Sequence, residues 1–239
     1  MTHDLAIPDL PPRAVDSHKG DHGRVLVVAG SLRYPGAAIL ATLGAGRMGA
    51  GLVELATPGR AASLVVPAVP FAILRTLPED ADGFVSETAL EPALAASASA
   101  HAVVVGPGLG LGDGSTALVL GLIAAVSAPL VIDADGLNAL ASLGEPHARD
   151  TMTARAEAGR STVLTPHPGE FARLAECRVG NGKVAIVLER SIDQRVELGA
   201  GKAMPPFRDW RRAHLQGLGR TRLRHDTIRC ASRRERHRS

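Results

Sequence analysis

Three short groups of residues in this chain have the types and the spacing that ligand binding or catalysis requires. Glycines allow a backbone to approach a ligand closely, carboxylates bind metals or transfer protons, and an imidazole forms hydrogen bonds with adjustable charge. Each group follows a short apolar run, and the three are GPGLG at 106–110, DADGLN at 133–138 and TPHPGE at 165–170.

Each group also has a structural interpretation. GPGLG alone is equally typical of a plain turn at the end of a strand. Asp133 and Asp135 form either a metal or acid/base pair, or a loop that caps the following helix. His167 stands between two prolines, which restrict the backbone and hold the imidazole at a strand end. That arrangement favours a functional histidine over a purely structural one.

The apolar runs predict the elements that position these groups. Val103–Val105 and Leu130–Ile132 are continuous apolar runs without polar alternation, which is typical of parallel strands covered by helices on both faces. The apolar segment between them has helical spacing, so the region reads as a strand–helix–strand unit. Open α/β sheets bind ligands at the carboxyl ends of their strands, where these polar and glycine-rich groups stand.

The rest of the chain continues the alternation of strands and helices. Further strands are predicted at Arg24–Ala29, Leu52–Ala56, Phe71–Leu77 and Ser161–Thr165. Helices are predicted at Ala37–Met48, at Glu87–Ala96 with Ser86 as N-cap, from Leu137 and from Phe171, while Arg149–Arg160 is polar and has no assignment. The sequence therefore predicts an α/β fold.

A second glycine pattern, Gly44, Gly46 and Gly49, has the GxGxxG spacing of a dinucleotide-binding fingerprint. That fingerprint needs a strand before the glycines and a helix after them, and the predicted order is the reverse. We therefore interpret these glycines as small residues for close helix packing. Asp113 in GLGD is similarly interpreted as a surface aspartate at a helix N-terminus rather than as a catalytic carboxylate.

Length and composition limit the protein class. A chain of 239 residues with 45% hydrophobic and 3% aromatic residues suits one α/β domain packed with small side chains. No apolar run reaches the length of a bilayer span, and the first residues lack the basic and then apolar pattern of a signal peptide. Cys177 and Cys230 lack metal-ligand spacing. We expect a cytoplasmic protein with no membrane partner.

The distribution of charge divides the chain in two. Residues 1–175 contain 11 Lys and Arg against 17 Asp and Glu, whereas residues 176–239 contain 16 against 7. The second part is rich in arginine and has little apolar periodicity. We predict an incomplete domain at residues 10–175 and an atypical Arg-rich tail at residues 176–239, for which disorder is one interpretation.

Five blocks of the sequence resemble the ADP-dependent NAD(P)H-hydrate dehydratases in order and spacing. They lie between Leu10 and Leu174 and are HKGDHGRVLVVAGS, YPGAAILATLGAGRMGAGLVELATP, VVVGPGLG, VIDADGLNAL and LTPHPGEFARL. The resemblance implies a ribokinase-like fold of three layers around a mostly parallel sheet. It also implies repair of NADH or NADPH whose nicotinamide ring is hydrated. In that reaction ADP (or ATP), accompanied by Mg²⁺, phosphorylates the ring hydroxyl, and phosphate is then eliminated.

The same resemblance implies the substrate contacts. It places contacts to the hydrated nucleotide at Ala37 in the PGAA loop, Gly110 closing GPGLG and His167 in TPHPGE. Asp135 and Asn138 are expected to line the same edge. A small Ala37 permits close approach at a helix N-terminus, and Gly110 lacks a Cβ that would collide with the ligand. No catalytic residue and no metal ligand is assigned.

After Leu174 the sequence departs from the family pattern. The family continues with a KGAGT-like strand exit for the adenine nucleotide and a GTGD loop that carries the catalytic base, and neither occurs in the 239 residues. Val184–Leu188 suits a strand, but Glu189 and Arg190 follow it where a lysine and glycines are expected. We therefore expect impaired turnover, and we interpret the tail as the result of a shifted reading frame or a wrong gene end.

Other functions stay open at this point. One is a small-molecule kinase of the same fold, and another is a non-catalytic nucleotide-binding remnant with a basic tail. Nucleic-acid binding by that tail is disfavoured because only Phe207 and Trp210 are available there for base stacking. The expected partners are hydrated NADH or NADPH and an adenine nucleotide, and a homo-oligomer is left open.

Overall fold

The computed structural model describes residues 12–176 and 184–186. Apart from Pro12 and Arg13, these residues belong to one compact unit, Ala14–Arg195. The predicted tail at 176–239 lies outside the described residues except for Glu176 and Val184–Ile186, so the boundary between domain and tail stays a prediction.

A single sheet of parallel strands forms the centre of the described residues. The order across the sheet is β3-β2-β1-β4-β5-β6-β7, and every neighbouring pair is parallel. The strands are β1 (Arg24–Val28), β2 (Leu52–Pro58), β3 (Ile73–Leu77), β4 (Ala102–Val105), β5 (Leu130–Ile132), β6 (Thr162–Leu164) and β7 (Val184–Ile186). The predicted α/β class with a parallel sheet is confirmed.

Helices cover both faces of this sheet. They are α1 (Pro35–Arg47), α2 (Gly59–Val65), α3 (Leu90–Ser97), α4 (Asp113–Ala125), α5 (Asp135–Ala141), α6 (His147–Glu157) and α7 (Pro168–Glu176), with 3-10 turns at Lys19–His22, Val66–Ala68 and Glu87–Ala89. Successive strand residues point to opposite faces, so Leu26 belongs to one core cluster and Val27 to another. The cluster of Val27 is covered by α1 and α2, and the larger cluster of Leu26 by helices that follow β3.

Several predicted element boundaries are corrected by the structure. The strand predicted at Phe71–Leu77 begins at Ile73, and the helix predicted from Leu137 begins at Asp135. Glu87–Ala96 is a 3-10 turn followed by α3. Ser86 is the N-cap residue of that turn, as predicted, but its hydroxyl contacts Thr88 Oγ1 instead of a backbone amide. The unassigned segment 149–160 contains most of α6.

The GxGxxG pattern is not a dinucleotide-binding fingerprint, because a helix comes before the strand here, as predicted. Gly44 and Gly46 lie in α1, and β2 follows them. A Cβ on Gly46 would lie 2.9 Å from Phe71 Cε2, whereas one on Gly44 would meet nothing within 4 Å. Gly49 has φ +98° in the turn after the helix, which favours glycine. Close packing is therefore confirmed for Gly46 and is wrong for Gly44.

Asp113 lies as the sequence predicts. It is exposed in the first turn of α4, where a carboxylate interacts favourably with the helix dipole. In the described part of the chain, no helix has both the length and the apolar character that crossing a bilayer requires.

Candidate functional site

The candidate site is the edge of the sheet where β1, β4, β5 and β6 end. These four strands are consecutive neighbours, so the loops that follow them stand side by side over about 14 Å. The chain passes through β2 and β3 between β1 and β4, which makes the β1/β4 boundary a topological switch point. Ligands of open α/β sheets bind in the crevice at such a point.

The loops after β1 and β4 interlock at this switch point. The amide of Gly30 donates to Pro107 O at 2.8 Å, and the buried Ser31 hydroxyl donates to Gly108 O at 2.9 Å. Ala37, in the first turn of α1, packs on the same turn, because a Cβ on Gly108 would lie 2.7 Å from Ala37 Cβ. The structure therefore brings Ala37 against GPGLG, as expected for two parts of one site.

Gly110 is buried between two protein partners. Its amide donates to Asp135 Oδ2 at 2.9 Å, and its φ is +82°. A Cβ at this position would lie 2.5 Å from Phe84 Cδ1, which no real contact allows. The structure adds a reason within the protein for a glycine here, since the atom that a Cβ would meet belongs to Phe84, and the expected contact between Gly110 and the substrate stays a prediction.

The acidic group after β5 holds the neighbouring loops together. Asp133 Oδ1 accepts a hydrogen bond from Thr165 Oγ1 at 2.8 Å, which connects the ends of β5 and β6. Asp135 Oδ1 accepts one from Asn138 Nδ2 at 3.4 Å, and Asn138 Oδ1 accepts one from Arg173 Nε at 3.1 Å. A continuous network therefore runs from Gly110 through Asp135 and Asn138 to α7.

The residue between the two aspartates has a strained backbone. Ala134 has φ +49°, in a region that residues other than glycine rarely adopt. Asp133 and Asp135, on either side of it, both accept hydrogen bonds from neighbouring loops, which favours this conformation. Strain of this kind is common where a loop must present groups to a ligand.

His167 caps the helix that follows it. The amide of Gly169 donates to His167 Nδ1 at 3.0 Å, and the amide of His167 donates to Glu170 Oε2 at 2.9 Å. His167 Nε2 lies 3.2 Å from Glu170 Oε1, and the Glu170 side chain is only 8% exposed. This reciprocal arrangement resembles a capping box, with the amide of Gly169 at the second helical position in place of the third, and it explains why α7 begins at Pro168 rather than at the predicted Phe171.

Capping leaves the His167 ring fixed and accessible. Because Nδ1 accepts a hydrogen bond, a neutral ring carries its proton on Nε2, facing Glu170. The side chain is 50% exposed. His167 shares the edge with the other candidate residues and is connected to them through α7, whose Arg173 contacts Asn138, rather than through a direct hydrogen bond.

The described residues supply carboxylates at this edge but no cage for a metal. No group of three or more His, Cys, Asp or Glu side chains lies close enough together in this part of the chain to hold an ion. Asp133 and Asp135, predicted as either a metal pair or a capping loop, each hold a neighbouring loop, and Asp135 opens α5. Neither carboxylate caps α5, because Ala134 is its N-cap residue and no side-chain hydrogen bond caps the helix, so both aspartates connect loops instead.

Sequence reasoning missed three residues at this edge. Phe84 packs on Gly110, Glu170 accepts hydrogen bonds from His167, and Arg173 reaches Asn138. Glu170 has a sequence signal, because a Glu three residues after an N-cap position is the signature of a capping box. Phe84 and Arg173 are identified by contacts distant in sequence, which a local pattern does not reveal.

Comparisons with known proteins agree with this geometry. A sequence model of the NAD(P)H-hydrate dehydratase family matches residues 25–199, beyond Leu174 where the motif resemblance ends. The chain is 41% identical over 194 residues to a bifunctional NAD(P)H-hydrate repair enzyme of Thermofilum pendens, across 81% of this chain and 34% of that relative. It is 37% identical over 178 residues to an ADP-dependent (S)-NAD(P)H-hydrate dehydratase of Xanthomonas campestris, across 74% of this chain and 55% of that relative.

A solved structure supports the same fold. The ADP/ATP-dependent NAD(P)H-hydrate dehydratase of Bacillus subtilis, co-crystallized with ATP and Mg²⁺, is 33% identical with a TM-score of 0.50 over 69% of this chain and 51% of that chain. The ribokinase-like architecture implied by the motifs is thus confirmed. The chain spans 34% and 55% of the lengths of the two curated relatives. Because the family match covers residues 25–199, most of its length, this chain belongs to the NAD(P)H-hydrate dehydratase family.

Proposed function

We propose that the chain acts in the repair of hydrated NADH and NADPH. The terminal phosphoryl group of ADP, or of ATP, passes to the hydroxyl on the hydrated nicotinamide ring. The ring then expels phosphate and loses a proton, which restores the double bond. For ADP the products are AMP, phosphate and NADH or NADPH. Phosphorylation replaces hydroxide with a better leaving group, which is the chemical reason for consuming a nucleotide.

One observation carries this proposal. The residues that the family motifs associate with the hydrated nucleotide lie in adjacent loops at the switch point of a parallel sheet. Gly110 and Asp135 share a hydrogen bond, and Ala37 packs on the GPGLG turn. His167 follows β6 at the same edge. Binding in this crevice is the default for an open α/β sheet.

The described residues fit the acceptor side of the reaction. Asp135 fixes the GPGLG loop, His167 offers a half-exposed ring held by its own helix, and Ala37 leaves room at the start of α1. Mg²⁺ typically binds through one or two carboxylates together with substrate phosphates, and it would neutralise charge on the transferred phosphoryl group. The grouped oxygen ligands for a protein cage are absent from the described residues, so we assign no step to the ion.

The donor side is not assigned to any described residue. The motifs expected to hold the adenine nucleotide and the catalytic base do not occur in the sequence. Substrate binding with impaired turnover therefore stays a prediction. A cytoplasmic location is part of the same proposal, and a homo-oligomer stays open.

Two measurements on the full chain test the function. Calorimetry with hydrated NADH measures binding, and the recovery of NADH absorbance in the presence of ADP and Mg²⁺ measures turnover. The proposal is wrong if hydrated NADH does not bind. Formation of a phosphorylated small molecule without recovery of NADH would indicate a kinase, and binding of adenine nucleotide alone would indicate a remnant.

His167→Asn tests the site without removing the helix cap. Asparagine is a good N-cap residue, so α7 should stay folded while the imidazole is lost. We expect affinity for hydrated NADH to fall about tenfold, which corresponds to about 1.4 kcal/mol. His18→Asn is the matched control, because the His18 amide donates to Asp21 Oδ2 at 2.9 Å in a similar turn before β1. Equal affinities of the two variants would contradict a substrate contact at His167.

A further inference from the structure

One loop reaches across the candidate site from the outermost strand of the sheet, β3. The loop Pro78–Ser86, called the β3 loop below, follows the edge strand β3 and reaches the loops after β1 and β4. Leu32, in the loop after β1, donates its amide to Gly83 O at 2.9 Å. A Cβ on Gly114, in the first turn of α4, would lie 2.8 Å from Ser86 C. The β3 loop therefore bridges the two sides of the switch point.

Hydrogen bonds fix the shape of the β3 loop. The Asp80 amide donates to Phe84 O at 2.9 Å, and Asp80 Oδ1 accepts from the amides of Asp82 and Phe84 at 3.0 and 2.9 Å. Arg60 in α2 anchors the loop, because its Nε donates to Glu79 Oε1 and its Nη2 donates to Asp80 O, both at 2.7 Å. Phe84 is thus presented by a rigid loop.

The Phe84 ring rests on Gly110. A Cβ on Gly110 would lie 2.5 Å from Phe84 Cδ1 and 3.5 Å from Phe84 Cζ, so a larger residue would displace the ring from this position. Gly110 is buried, whereas Phe84 is half-buried and keeps part of its surface exposed. At this place the exposed surface therefore belongs to the phenylalanine that covers the glycine.

A second aromatic residue flanks the same turn. Tyr34 Cβ lies 2.9 Å from the Cβ position of Gly108, and the Tyr34 side chain is partly exposed. Aromatic residues make up only 3% of this chain, yet two of them border GPGLG. Exposed aromatic faces bind the rings of nucleotides by stacking, and this contribution to affinity does not require hydrogen bonds to a particular base.

We propose that Phe84 contacts a ring of the substrate nucleotide, and that Gly110 is a positioning residue that acts through Phe84. This inference rests on the proposed function, because the substrate is a dinucleotide with two rings. The affinity that the family motif GPGLG contributes would then come from the side chain of Phe84, which lies 26 residues before Gly110 in the sequence. Substitution of Gly110 then weakens binding because it displaces the Phe84 ring.

A double-mutant cycle on the full chain tests the inference, with hydrated NADH as the ligand in calorimetry. The variants are Phe84→Leu, Gly110→Ala and the double variant, and Phe84→Tyr keeps the aromatic face. We expect Phe84→Leu and Gly110→Ala each to weaken binding about tenfold, the scale of one lost stacking contact. The double variant should bind no more weakly than either single variant, and Phe84→Tyr should bind like the wild type.

The control is the second phenylalanine that rests on a glycine. Phe71 contacts the Cβ position of Gly46 and is 50% exposed. It precedes β3, so it lies at the amino ends of the strands, whereas the candidate site lies at their carboxyl ends. Phe71→Leu should therefore leave the affinity unchanged. Urea unfolding of each variant separates a loss of stability, expected for Gly110→Ala at φ +82°, from a loss of affinity.

Each outcome decides between the alternatives. Affinity of Phe84→Leu within twofold of the wild type overturns the inference while leaving the proposed function intact. Additive losses in the double variant would show that Gly110 touches the substrate itself, which overturns its positioning role. Failure of the wild type to bind hydrated NADH overturns the proposed function and this inference with it.

Discussion

Replacement of Arg155 by methionine should destabilise the protein through the loss of a buried network. The Arg155 residue is 3% exposed, and its guanidinium donates to Val126 O at 2.5 Å, Ala128 O at 2.8 Å and Thr162 Oγ1 at 2.8 Å. A fourth bond reaches Ile123 O at 3.0 Å. One side chain thus joins the end of α4, the entry to β5 and the start of β6.

The magnitude follows from two opposing contributions. Burial, and to a smaller extent the charge of Arg160, lower the pKa of Arg155 from 12.5 to about 10. That shift is equivalent to roughly 3 kcal/mol of cost for the buried charge, which methionine would relieve. Against this, each acceptor left without a donor costs about 1–3 kcal/mol, and five acceptors are affected, of which Ser161 O at 3.5 Å makes the weakest contact. At about 1.5 kcal/mol for each of the four shorter bonds the cost is about 6 kcal/mol, so we expect a net loss of about 3 kcal/mol.

Urea unfolding at neutral pH measures this loss. Arg160→Met is the matched control, because Arg160 also donates to a carbonyl of α4, Ala124 O, but at an exposed position. It should cost less than about 1 kcal/mol. Arg155→Lys should fall between the two, since an ammonium group cannot reproduce the planar fork of donors. A cost of Arg155→Met no larger than that of Arg160→Met would refute the reasoning.

The effect of Arg155→Met on stability should not depend on pH near neutrality. At pH 9 and below the guanidinium is largely protonated in both the folded and the unfolded chain, so the difference between wild type and Arg155→Met should stay nearly constant between pH 6 and pH 9. The affinity for hydrated NADH should also be unchanged among folded molecules, because Arg155 contacts the amino ends of β5 and β6 rather than the candidate site.

Two further predictions concern carboxylates. Hydrogen bonds from the amide of Arg60 and then from its side chain lower the pKa of Glu79 below its ordinary 4.5. Glu79→Gln should therefore lower the free energy of unfolding by about 0.5–1 kcal/mol at pH 7. The difference from wild type should vanish as the pH falls through the lowered pKa of Glu79. A difference that persists at pH 2 would contradict this reasoning. Glu54 is 1% exposed, and its two carboxylate oxygens lie 3.0 Å from Arg24 Nη1 and 2.6 Å from Arg75 Nε. Glu54→Gln should lower the free energy of unfolding in urea by about 2 kcal/mol. This is less than the cost of breaking a fully buried pair, because both arginines reach solvent. A cost below about 0.5 kcal/mol would show that the ion pairs do not stabilise the fold.

The sequence predicts the elements best where apolar residues dominate a segment. The continuous runs Val103–Val105 and Leu130–Ile132 lie in β4 and β5, because strands buried on both faces need no polar alternation. Helix α6 was not predicted, for a physical reason. Its buried stripe consists of Ala148, Met152 and Arg155, so the residue that completes the helical spacing is a cation. Only the carbonyl groups around Arg155 explain its burial, and those groups are distant in sequence.

The same limitation affects the candidate site. Motif order predicted which loops meet, because parallel strands bring the loops after β1, β4, β5 and β6 to one edge. It did not predict the interaction partners within that edge. The sequence predicts a substrate contact at His167, and the structure shows that this residue caps α7 through Gly169 and Glu170. The two roles are compatible, since the cap engages the ring nitrogens and half of the side chain stays exposed.

Gly110 shows why a glycine motif alone does not identify a ligand contact. A glycine is required wherever a Cβ would collide, and the colliding atom belongs to either a ligand or the protein. The structure shows Phe84 at that position, and it also shows φ +82°, so two separate causes within the protein already require glycine. The motif is therefore explained without a direct contact between Gly110 and substrate. The exposed part of Phe84, whose position is fixed by Asp80 and Arg60, is the group that we propose to contact the substrate. If the double-mutant cycle supports that proposal, recognition at this edge depends on the β3 loop, which the family motifs in this sequence do not include.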